Sequence, residues 1–478
     1  MAHPKSVTCF TTRKDFDRSH DGNPLPVHVC RPDGWDAVRA SLSATQQAFA
    51  DARGFRGDTG QRIRLPGNDG HFTAVLFGAG PVDGDVLGPI RLGQLATFLS
   101  GGGVYELITM PDDWTSAQAA VGWGLGAYKF DRYLPEKYTP AILVLDAAHR
   151  PDETIALVSA VHFGRDLVNT PAADMGPVAL HDAAIAVAEK HGAEISAIIG
   201  DDLLDQNYPM IHAVGRAAHE APRLVEFQWG DPTHPTLAII GKGITFDTGG
   251  LNIKGASGAR IMKKDMGGAA HALALADMIM GCGLPVRLHV LVSIAENAIS
   301  ANAYRPGDIL TSRTGLTVEI DNTDAEGRLV LGDALCKAAE AEPDLMIDFA
   351  TLTGAARVAL GPTLPPFFSN RKAPVAAILE KADSQHDPLW HMPLWQPYNS
   401  LLSSPIADMK NAGGSFAGSV TAALFLERFV KGRPWMHLDV YAWNPTSQPA
   451  HPAGGDMFAL RAIFHWLKAG GLNGDFSQ

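Results

Sequence analysis

The sequence predicts an α/β protein, with a small N-terminal α/β domain and a larger α/β domain whose central sheet is mainly parallel and flanked by helices. The length is the first observation, because 478 residues is about three times a typical single domain. The second is a composition of 46% hydrophobic and 19% charged residues, which is typical of soluble proteins with large cores. The third is the alternation of short apolar runs with helix-periodic stretches.

The first part of the chain predicts a compact α/β domain. Residues 71–77 and 140–145 have the apolar, β-branched character of strands, and 90–99 and 117–128 have helical periodicity. We expect this N-terminal domain to cover residues 1–146. Residues 147–168 are expected to form a linker and a connecting helix, which leaves 169–478 as the larger domain.

The larger domain alternates predicted strands and helices over about 300 residues. Ligands of such sheets bind beyond the carboxyl ends of the strands. The predicted strands are 236–240, 286–294, 344–349 and 435–440, and the predicted helices are 269–280, 329–341 and 375–381.

Charge and cysteine content exclude several classes of function. The net charge is −12; residues 1–150 hold 15 Lys/Arg and 16 Asp/Glu, whereas 151–478 hold 24 and 35. No basic run favours nucleic acid, and no apolar run approaches the roughly 18–20 residues that span a bilayer. The first thirty residues lack the apolar stretch of a secretory signal. With four sparse cysteines, these features predict a cytoplasmic protein.

The segment DNTDAEGRL at 321–329 contains the first group of candidate site residues. In extended backbone, residues i, i+2 and i+4 share a face, so Asp324, Glu326 and Arg328 would converge on one site. Gly327 would permit the bend into a helix that starts near Leu329. The alternative interpretation is an ordinary helix start, capped by Asn322 or Asp324.

The segment GKGITFDTGG at 241–250, which continues to MKKDMGG at 262–268, contains the second group. Lys242 and Asp247 would point to opposite faces of an ideal strand, so we expect a bend at Gly243. Asp265 precedes two glycines. The alternative is a plain strand-to-turn junction, and the glycine spacing fits neither a P-loop nor a dinucleotide motif.

Four carboxylates, those of Asp247, Asp265, Asp324 and Glu326, carry a charge of −4 that two divalent cations would neutralise. The oxygen-rich set accepts Zn²⁺, Mn²⁺, Mg²⁺ or Co²⁺, and hydrolysis is the natural use of such a pair. The Lys242 ammonium must lose its proton before it can bind a cation. Lys254 can bind a developing oxyanion.

These residues carry a family resemblance. NTDAEGRL at 322–329 resembles the signature of the leucyl aminopeptidases, the M17 metallopeptidase or cytosol aminopeptidase family. Other segments resemble family blocks in the same order: GKGITFDTGG, Lys254, MKKDMGGAA at 262–270, ENAISANAYRPGDI at 296–309, ATLTGA at 350–355 and IADMKNAGG at 406–414.

The resemblance implies a di-metal catalytic domain that removes single N-terminal residues, with a Leu-like preference, from peptide substrates. One metal would be bound by Lys242, Asp247, Asp265 and Glu326, and a second by Asp247, Asp324 and Glu326. It further implies Lys254 and Arg328 as catalytic residues, with Arg328 holding a bicarbonate that acts as general base. The pocket for the first side chain would be lined by Met262, Thr351 and Gly354. A homohexamer of two trimers is implied as well.

Two departures and three alternatives remain at this stage. Thr248 stands where serine is commoner in the family, and YAWNPTSQPAHPAGGDMF at 441–458 differs from the usual family ending. The same site could instead serve a Cys-Gly or other dipeptidase, or an aminoacyltransferase. Some relatives also bind DNA as regulators, although the near-neutral first part of this chain does not favour that role. Serine-hydrolase and HExxH motifs are absent from the sequence.

Overall fold

A computed structural model describes residues 7–19, 22–134 and 139–474. These residues form two compact units. The smaller unit contains residues 7–162 together with 446–453, and the larger unit contains 163–445 and 454–474. Part of the unusual segment 441–458 therefore belongs to the smaller unit.

Within its described residues, the smaller unit holds a six-stranded sheet in the order β1-β6-β5-β2-β4-β3, in which only β3 runs antiparallel to its neighbour. Its core is formed by apolar side chains of the sheet and of α4 and α5, which bury Trp123 completely. The strands are β1 (Phe10–Thr12), β2 (Leu25–Cys30), β3 (Arg62–Pro66), β4 (Phe72–Gly78), β5 (Val104–Thr109) and β6 (Ile142–Leu145). The helices are α1 (Arg13–Ser19), α2 (Trp35–Ser41), α3 (Ala44–Ala52), α4 (Gly93–Phe98) and α5 (Ser116–Gly126).

Helix α6 (Pro151–Asn169) follows β6 and a short turn. The sequence predicts a helix from about Glu153 to Leu167, and the helix extends two residues further at each end. Pro151 begins it because proline at the first helical position removes an N–H group that would have no partner there.

The larger unit is built on a second sheet in the order β15-β14-β17-β13-β9-β10-β8-β7. Its central strands β17, β13, β9 and β10 are parallel to one another, and antiparallel neighbours flank them. These strands are β7 (Glu194–Ile199), β8 (Arg223–Trp229), β9 (Thr236–Asp247), β10 (Arg287–Asn297), β13 (Leu345–Ala350), β14 (Pro366–Ser369), β15 (Trp390–His391) and β17 (Trp435–Asp439). The mainly parallel central sheet expected from the sequence is confirmed.

Two apolar helices cover opposite faces of β9. Gly241 approaches Ala269 of α11, whereas Ala238 and Ile240, on the alternate positions, belong to the same core as Leu331 of α12. The helices of this unit are α7 (Pro177–Lys190), α8 (Asp202–Asp205), α9 (Pro209–Gly215), α10 (Ala256–Ala259), α11 (Gly267–Gly281), α12 (Gly327–Glu340), α13 (Gly354–Leu360), α14 (Ala373–Ser384), α15 (Gly418–Glu427) and α16 (Leu460–Lys468).

Smaller elements complete the described chain. Short strands form a three-stranded sheet, β11-β12-β16, and a pair, β18-β19. These strands are β11 (Ile309–Thr311), β12 (Thr317–Glu319), β16 (Met409–Lys410), β18 (Trp443–Asn444) and β19 (Gly454–Gly455). The 3-10 turns are Pro32–Gly34, Gly88–Leu92, Ala147–His149, Met262–Met266, Gln396–Leu402 and Gly471–Asn473. None of the described helices has the length and apolar character of a membrane span.

Candidate active site

Strand β9 brings Lys242 and Asp247 to the same side of the sheet. Opposite β10, Ile244 pairs with Ala295 and Asp247 with Asn297, so β9 carries one residue more than its neighbour over this interval. That extra residue is a β-bulge, which reverses the alternation of side chains beyond it. The expected bend at Gly243 is wrong, because Gly243 lies in regular pairing and the irregularity falls at Thr245 and Phe246.

Asp265 lies in the 3-10 turn Met262–Met266, just before α11. Its carboxylate is buried. The Thr351 hydroxyl donates to Asp265 Oδ1 over 2.8 Å and lies 3.0 Å from the Asp265 carbonyl oxygen. The turn at the start of α11 is thereby tied to the residue that follows β13.

Asp324 and Glu326 lie in a turn, not in the extended backbone that the sequence suggested. The Asn322 side chain accepts a hydrogen bond from the Asp324 N–H at 2.9 Å, which stabilises the turn. Glu326 has helical dihedral angles as the residue that precedes α12, and Arg328 is already inside the helix. The helix therefore begins at Gly327, two residues before the predicted start near Leu329.

Gly327 is required by close packing. A Cβ atom at this position would lie 2.5 Å from Lys242 Cε, so any larger residue would displace the Lys242 side chain. Gly327 therefore leaves room for the Lys242 side chain at the point where the turn leads into α12.

The acidic side chains meet in a buried cluster. One carboxylate oxygen from each of Asp247, Asp265 and Glu326 lies within 4.8 Å of the other two. Lys242 Nζ is 2.6 Å from Asp265 Oδ2, 2.8 Å from Glu326 Oε1 and 3.1 Å from the Thr351 carbonyl oxygen. Within the larger unit, Lys242 therefore pairs with two of these acids, Asp265 and Glu326.

Lys254 joins the more exposed side of the cluster. Its Nζ is 2.7 Å from Asp247 Oδ2 and also pairs with Asp324 Oδ1. Asp324 is the most exposed of the four acids, with 31% of its side chain accessible. The structure thus brings together the whole set of predicted metal ligands and Lys254.

The carboxylates in this cluster have very different pKa values. Burial, together with the Asp247 carboxylate, raises the pKa of Glu326 to about 8 and that of Asp324 to about 6. Burial would also raise the pKa of Asp265, but Lys242 and Lys264 outweigh it and hold that pKa well below its usual range. The cluster has more negative charge than its lysines compensate.

The lysines show the complementary effect. Burial alone would lower the pKa of Lys242, but the Asp265 and Glu326 carboxylates outweigh it and raise the pKa above its usual value. Burial would also lower the pKa of Lys254, but the Asp247 and Asp324 carboxylates outweigh it and raise that pKa. With this raised pKa, Lys242 is an ammonium that donates hydrogen bonds, so binding a cation through its nitrogen requires the loss of a proton.

The donor chemistry of the cluster fits divalent cations. Its ligand atoms are carboxylate oxygens with one amine nitrogen, a set that suits Zn²⁺, Mn²⁺, Mg²⁺ and Co²⁺. Glu326 Oε2 is buried and has no hydrogen-bond partner among the residues that the structure describes. A buried acceptor without a donor is costly, and a bound cation would satisfy it.

Arg328 is buried near the acidic cluster. Its NH1 group donates to the Asn411 carbonyl oxygen over 2.6 Å, and its guanidinium lies 5.8 Å from the Phe425 ring centroid. Burial lowers the pKa of Arg328 to about 10. Its Nε has no hydrogen-bond partner within the described ranges, so this N–H remains available to an anion.

The three residues expected to line a substrate pocket are spread over two segments. Met262 is buried at the start of the 3-10 turn, and Thr351 contacts Asp265 as described. Gly354 begins α13 and is exposed.

Sequence reasoning missed several residues around the site. Asn297 Nδ2 donates to Asp247 Oδ1 over 2.8 Å and to the Thr323 carbonyl oxygen over 3.1 Å. Asn297 lies in the segment 296–309 that resembles a family block, so the block itself was the available signal. The contact between Lys264 and the Tyr441 ring was also missed. It has no local signal, because 177 positions separate the two residues.

Comparisons with known proteins show the family of this chain. A family model described as the cytosol aminopeptidase family, catalytic domain, matches residues 162–464, and one described as the M17 aminopeptidase N-terminal domain matches 25–146. The chain is 35% identical to a probable cytosol aminopeptidase of Caulobacter vibrioides, over 93% of this chain and 94% of that protein. It is 39% identical to one of Syntrophotalea carbinolica, over 72% and 73%.

Solved structures of related proteins have the same fold as this chain. The crystal structure of cytosol aminopeptidase from Coxiella burnetii is similar with a TM-score of 0.89 and 41% identity, covering 96% of this chain and 99% of that one. The bottromycin maturation enzyme BotP in complex with Mn is similar with a TM-score of 0.85 and 31% identity, covering 94% and 99%.

Proposed function

The chain belongs to the cytosol aminopeptidase family, M17, whose members are metal-dependent aminopeptidases, and from this premise we propose that it removes single N-terminal residues from peptides with two bound cations. The observation that carries the proposal is the buried meeting of Asp247, Asp265 and Glu326, whose oxygens lie within 4.8 Å of one another. An oxygen of Glu326 that has no hydrogen-bond partner among the described residues supports the same role, because a bound cation would satisfy it.

Two overlapping sets of residues would hold the cations. Lys242, Asp247, Asp265 and Glu326 would hold one, with Lys242 as a neutral amine. Asp247, Asp324 and Glu326 would hold the other, on the more exposed side where Asp324 lies. Zn²⁺ and Mn²⁺ are the proposed ions, and the Mn complex of BotP supports Mn²⁺ for a relative with this fold.

The bound cations would supply Lewis acidity to the scissile carbonyl and an activated water near neutral pH. The chain's own cations serve the charge that develops on the substrate. Lys254, whose ammonium pairs with Asp247 and Asp324 in this structure, would donate to the developing oxyanion. Arg328 would hold bicarbonate as the general base, because its buried Nε–H has no other acceptor in the described structure.

The first side chain of the substrate would lie against Met262, Thr351 and Gly354. Met262 offers an apolar, adaptable surface, and Gly354 leaves room, so this side of the pocket favours Leu-like residues. A panel of Leu-, Met-, Ala- and Cys-Gly-containing dipeptides, set against longer peptides, separates an aminopeptidase from a dipeptidase.

Family membership also supports a cytoplasmic homohexamer made of two trimers. Light scattering of the purified protein should then give about six times the 50.8-kDa chain mass. A monomer or dimer at micromolar concentration would contradict this part of the proposal.

Metal analysis combined with turnover tests the central claim. Protein freed of metal with a chelator and reloaded with Zn²⁺ or Mn²⁺ should bind two equivalents and hydrolyse leucine p-nitroanilide. The Asp265→Ala variant should bind less metal, whereas Asp277→Ala, which removes a buried acid outside the cluster, should bind the normal amount. Binding of fewer than two equivalents by the unmodified protein would overturn the two-cation proposal.

A further inference from the structure

Tyr441 lies between two cationic side chains. The Arg357 guanidinium is 4.6 Å from the centroid of the Tyr441 ring, and Lys264 Nζ is 5.5 Å from it. Both distances are within the range of a cation–π interaction. We refer to Lys264, Arg357 and Tyr441 as the cationic wall.

The cationic wall connects the acidic cluster to the start of α13. At one end, Lys264 Nζ is 3.3 Å from Oδ1 of Asp265, which also pairs with Lys242. At the other end, Arg357 NH2 lies 3.5 Å from the position that a Cβ of Gly354 would occupy. The wall therefore borders the same segments, at Asp265 and Gly354, that line the proposed pocket for the first side chain.

The charges of the wall are not balanced locally. Arg357 is exposed, and within the described part of the chain its guanidinium has no ion pair and no hydrogen-bond acceptor. Lys264 is buried, and the carboxylate nearest to it, Asp265, is shared with Lys242. An aromatic ring offers a cation weak attraction but no hydrogen-bond acceptor, so the N–H groups of Arg357 remain able to bind an anion.

We propose that the cationic wall makes the pocket accept peptides whose first residue is acidic, Glu or Asp, in addition to apolar ones, and makes it reject basic first residues. The inference rests on the proposed aminopeptidase function and names a substrate class for the same site. The aliphatic part of a glutamate would lie along Met262, and its carboxylate would reach the Arg357 guanidinium, which binds carboxylates through two parallel hydrogen bonds.

Three substrates that differ mainly in charge measure this preference. Peptides X-Ala-Ala with X = Glu, Gln or Lys, and Leu as reference, are compared by kcat/KM with the metal-loaded enzyme. We expect kcat/KM for the Glu peptide to exceed that for the Lys peptide by about tenfold or more, and to equal or exceed that for the Gln peptide. The reason is that the Arg357 guanidinium attracts a carboxylate more than a neutral amide and repels an ammonium. Lys hydrolysed as fast as Glu would overturn the inference.

Variants of Arg357 test whether the cationic wall causes the preference for an acidic first residue. In Arg357→Glu, the ratio of kcat/KM for the Glu peptide to that for the Gln peptide should fall by about tenfold, mainly through KM. The kcat/KM for the Lys peptide should rise. Arg357→Lys keeps the charge and should retain most of the ratio. Arg305→Glu, the same charge change at another exposed arginine of this unit, should leave the ratio at its normal value.

Failure of this inference is distinguishable from failure of the proposed function. If the Leu peptide is not hydrolysed by the metal-loaded protein, the aminopeptidase proposal falls. If Leu is hydrolysed but Arg357→Glu leaves the Glu-to-Gln ratio unchanged, the cation–π arrangement is only a packing feature and the inference alone is overturned. Inhibition by free glutamate and by free leucine, measured for the same variants, gives a binding readout that does not depend on turnover of the acidic peptide.

Discussion

Helix α12 carries two buried carboxylates, Glu326 just before its first residue and Asp333 two turns later, and they differ in their partners. Burial raises the pKa of both, to about 8 for Glu326 and about 7 for Asp333. Asp333 accepts hydrogen bonds from the backbone N–H groups of Met210 (2.8 Å), Ile211 (3.3 Å) and Arg313 (2.8 Å). Glu326 has an ion pair with Lys242, and its other oxygen has no hydrogen-bond donor in the described part of the chain.

The comparison shows that burial and a raised pKa do not by themselves identify a functional acid. Asp333 connects α9 and the loop after β11 to α12, and each of its oxygens has a donor. Glu326 differs from this structural acid in its incomplete partners and in its proximity to Asp247 and Asp265, which support the proposal that it is a metal ligand.

The largest expected effect is that of Glu326→Ala. This change removes a carboxylate proposed to bridge both cations, so kcat on leucine p-nitroanilide should fall by several orders of magnitude. Folding of the metal-free protein should not suffer, because an incompletely paired buried acid is lost and Lys242 keeps its ion pair with Asp265. Stopped turnover assays and thermal unfolding in a chelator check both parts, and near-normal turnover in the metal-replete assay would refute the site.

Removal of the metal should make stability depend on pH. The pKa values of Glu326 and Asp324, about 8 and about 6 in the folded metal-free protein, lie above those of the unfolded chain. The folded state therefore binds more protons, and stability falls as pH rises from about 4.5 to about 8. We expect the melting temperature of the chelated protein to drop by a few degrees over this range.

The Glu326→Gln variant is the control for that dependence. Its pH slope should be smaller than that of the unmodified protein, although Asp333 contributes a slope of the same sign. An equal or steeper slope in Glu326→Gln would show that the titration arises elsewhere.

Asp333→Ala should lower stability and leave turnover nearly unchanged, the reverse of what is expected for Glu326→Ala. It leaves three backbone N–H groups without their acceptor, so the free energy of unfolding should fall by about 3 kcal/mol, as judged from urea titration. Turnover of the folded fraction should stay within about twofold of normal, because Asp333 does not contact the acidic cluster. Loss of turnover at full folding would remove the distinction drawn between the two acids.

The smallest effect is expected at a partly exposed ion pair. Lys190 Nζ is 2.7 Å from Asp277 Oδ1, but 42% of the Lys190 side chain is exposed and His191 Nε2 contacts the same oxygen at 2.6 Å. Lys190→Ala should therefore lower stability by less than about 1 kcal/mol. A larger loss would mean that the buried Asp277 depends on Lys190 more than on His191.

Much of the fold followed from local patterns. The strand expected at 286–294 is β10, Arg287–Asn297, and the helix expected at 269–280 is α11, Gly267–Gly281. Both predictions are confirmed, because long apolar runs are typical of buried strands and buried helices. The strand expected at 236–240 extends to Asp247, and its end was missed because glycines at 241 and 243 look like a break.

The sequence by itself determined which chemical groups are available: four acids, two lysines and an arginine in glycine-rich segments of an α/β domain. Only the tertiary structure decided how they meet. The bulge that turns Asp247 towards Lys242 exists because β9 pairs with β10, and the turn at Asp324 depends on packing that no local pattern encodes. Likewise, Tyr441 meets Lys264 and Arg357 through contacts between distant segments, which strand register and helix packing establish and short-range propensity does not.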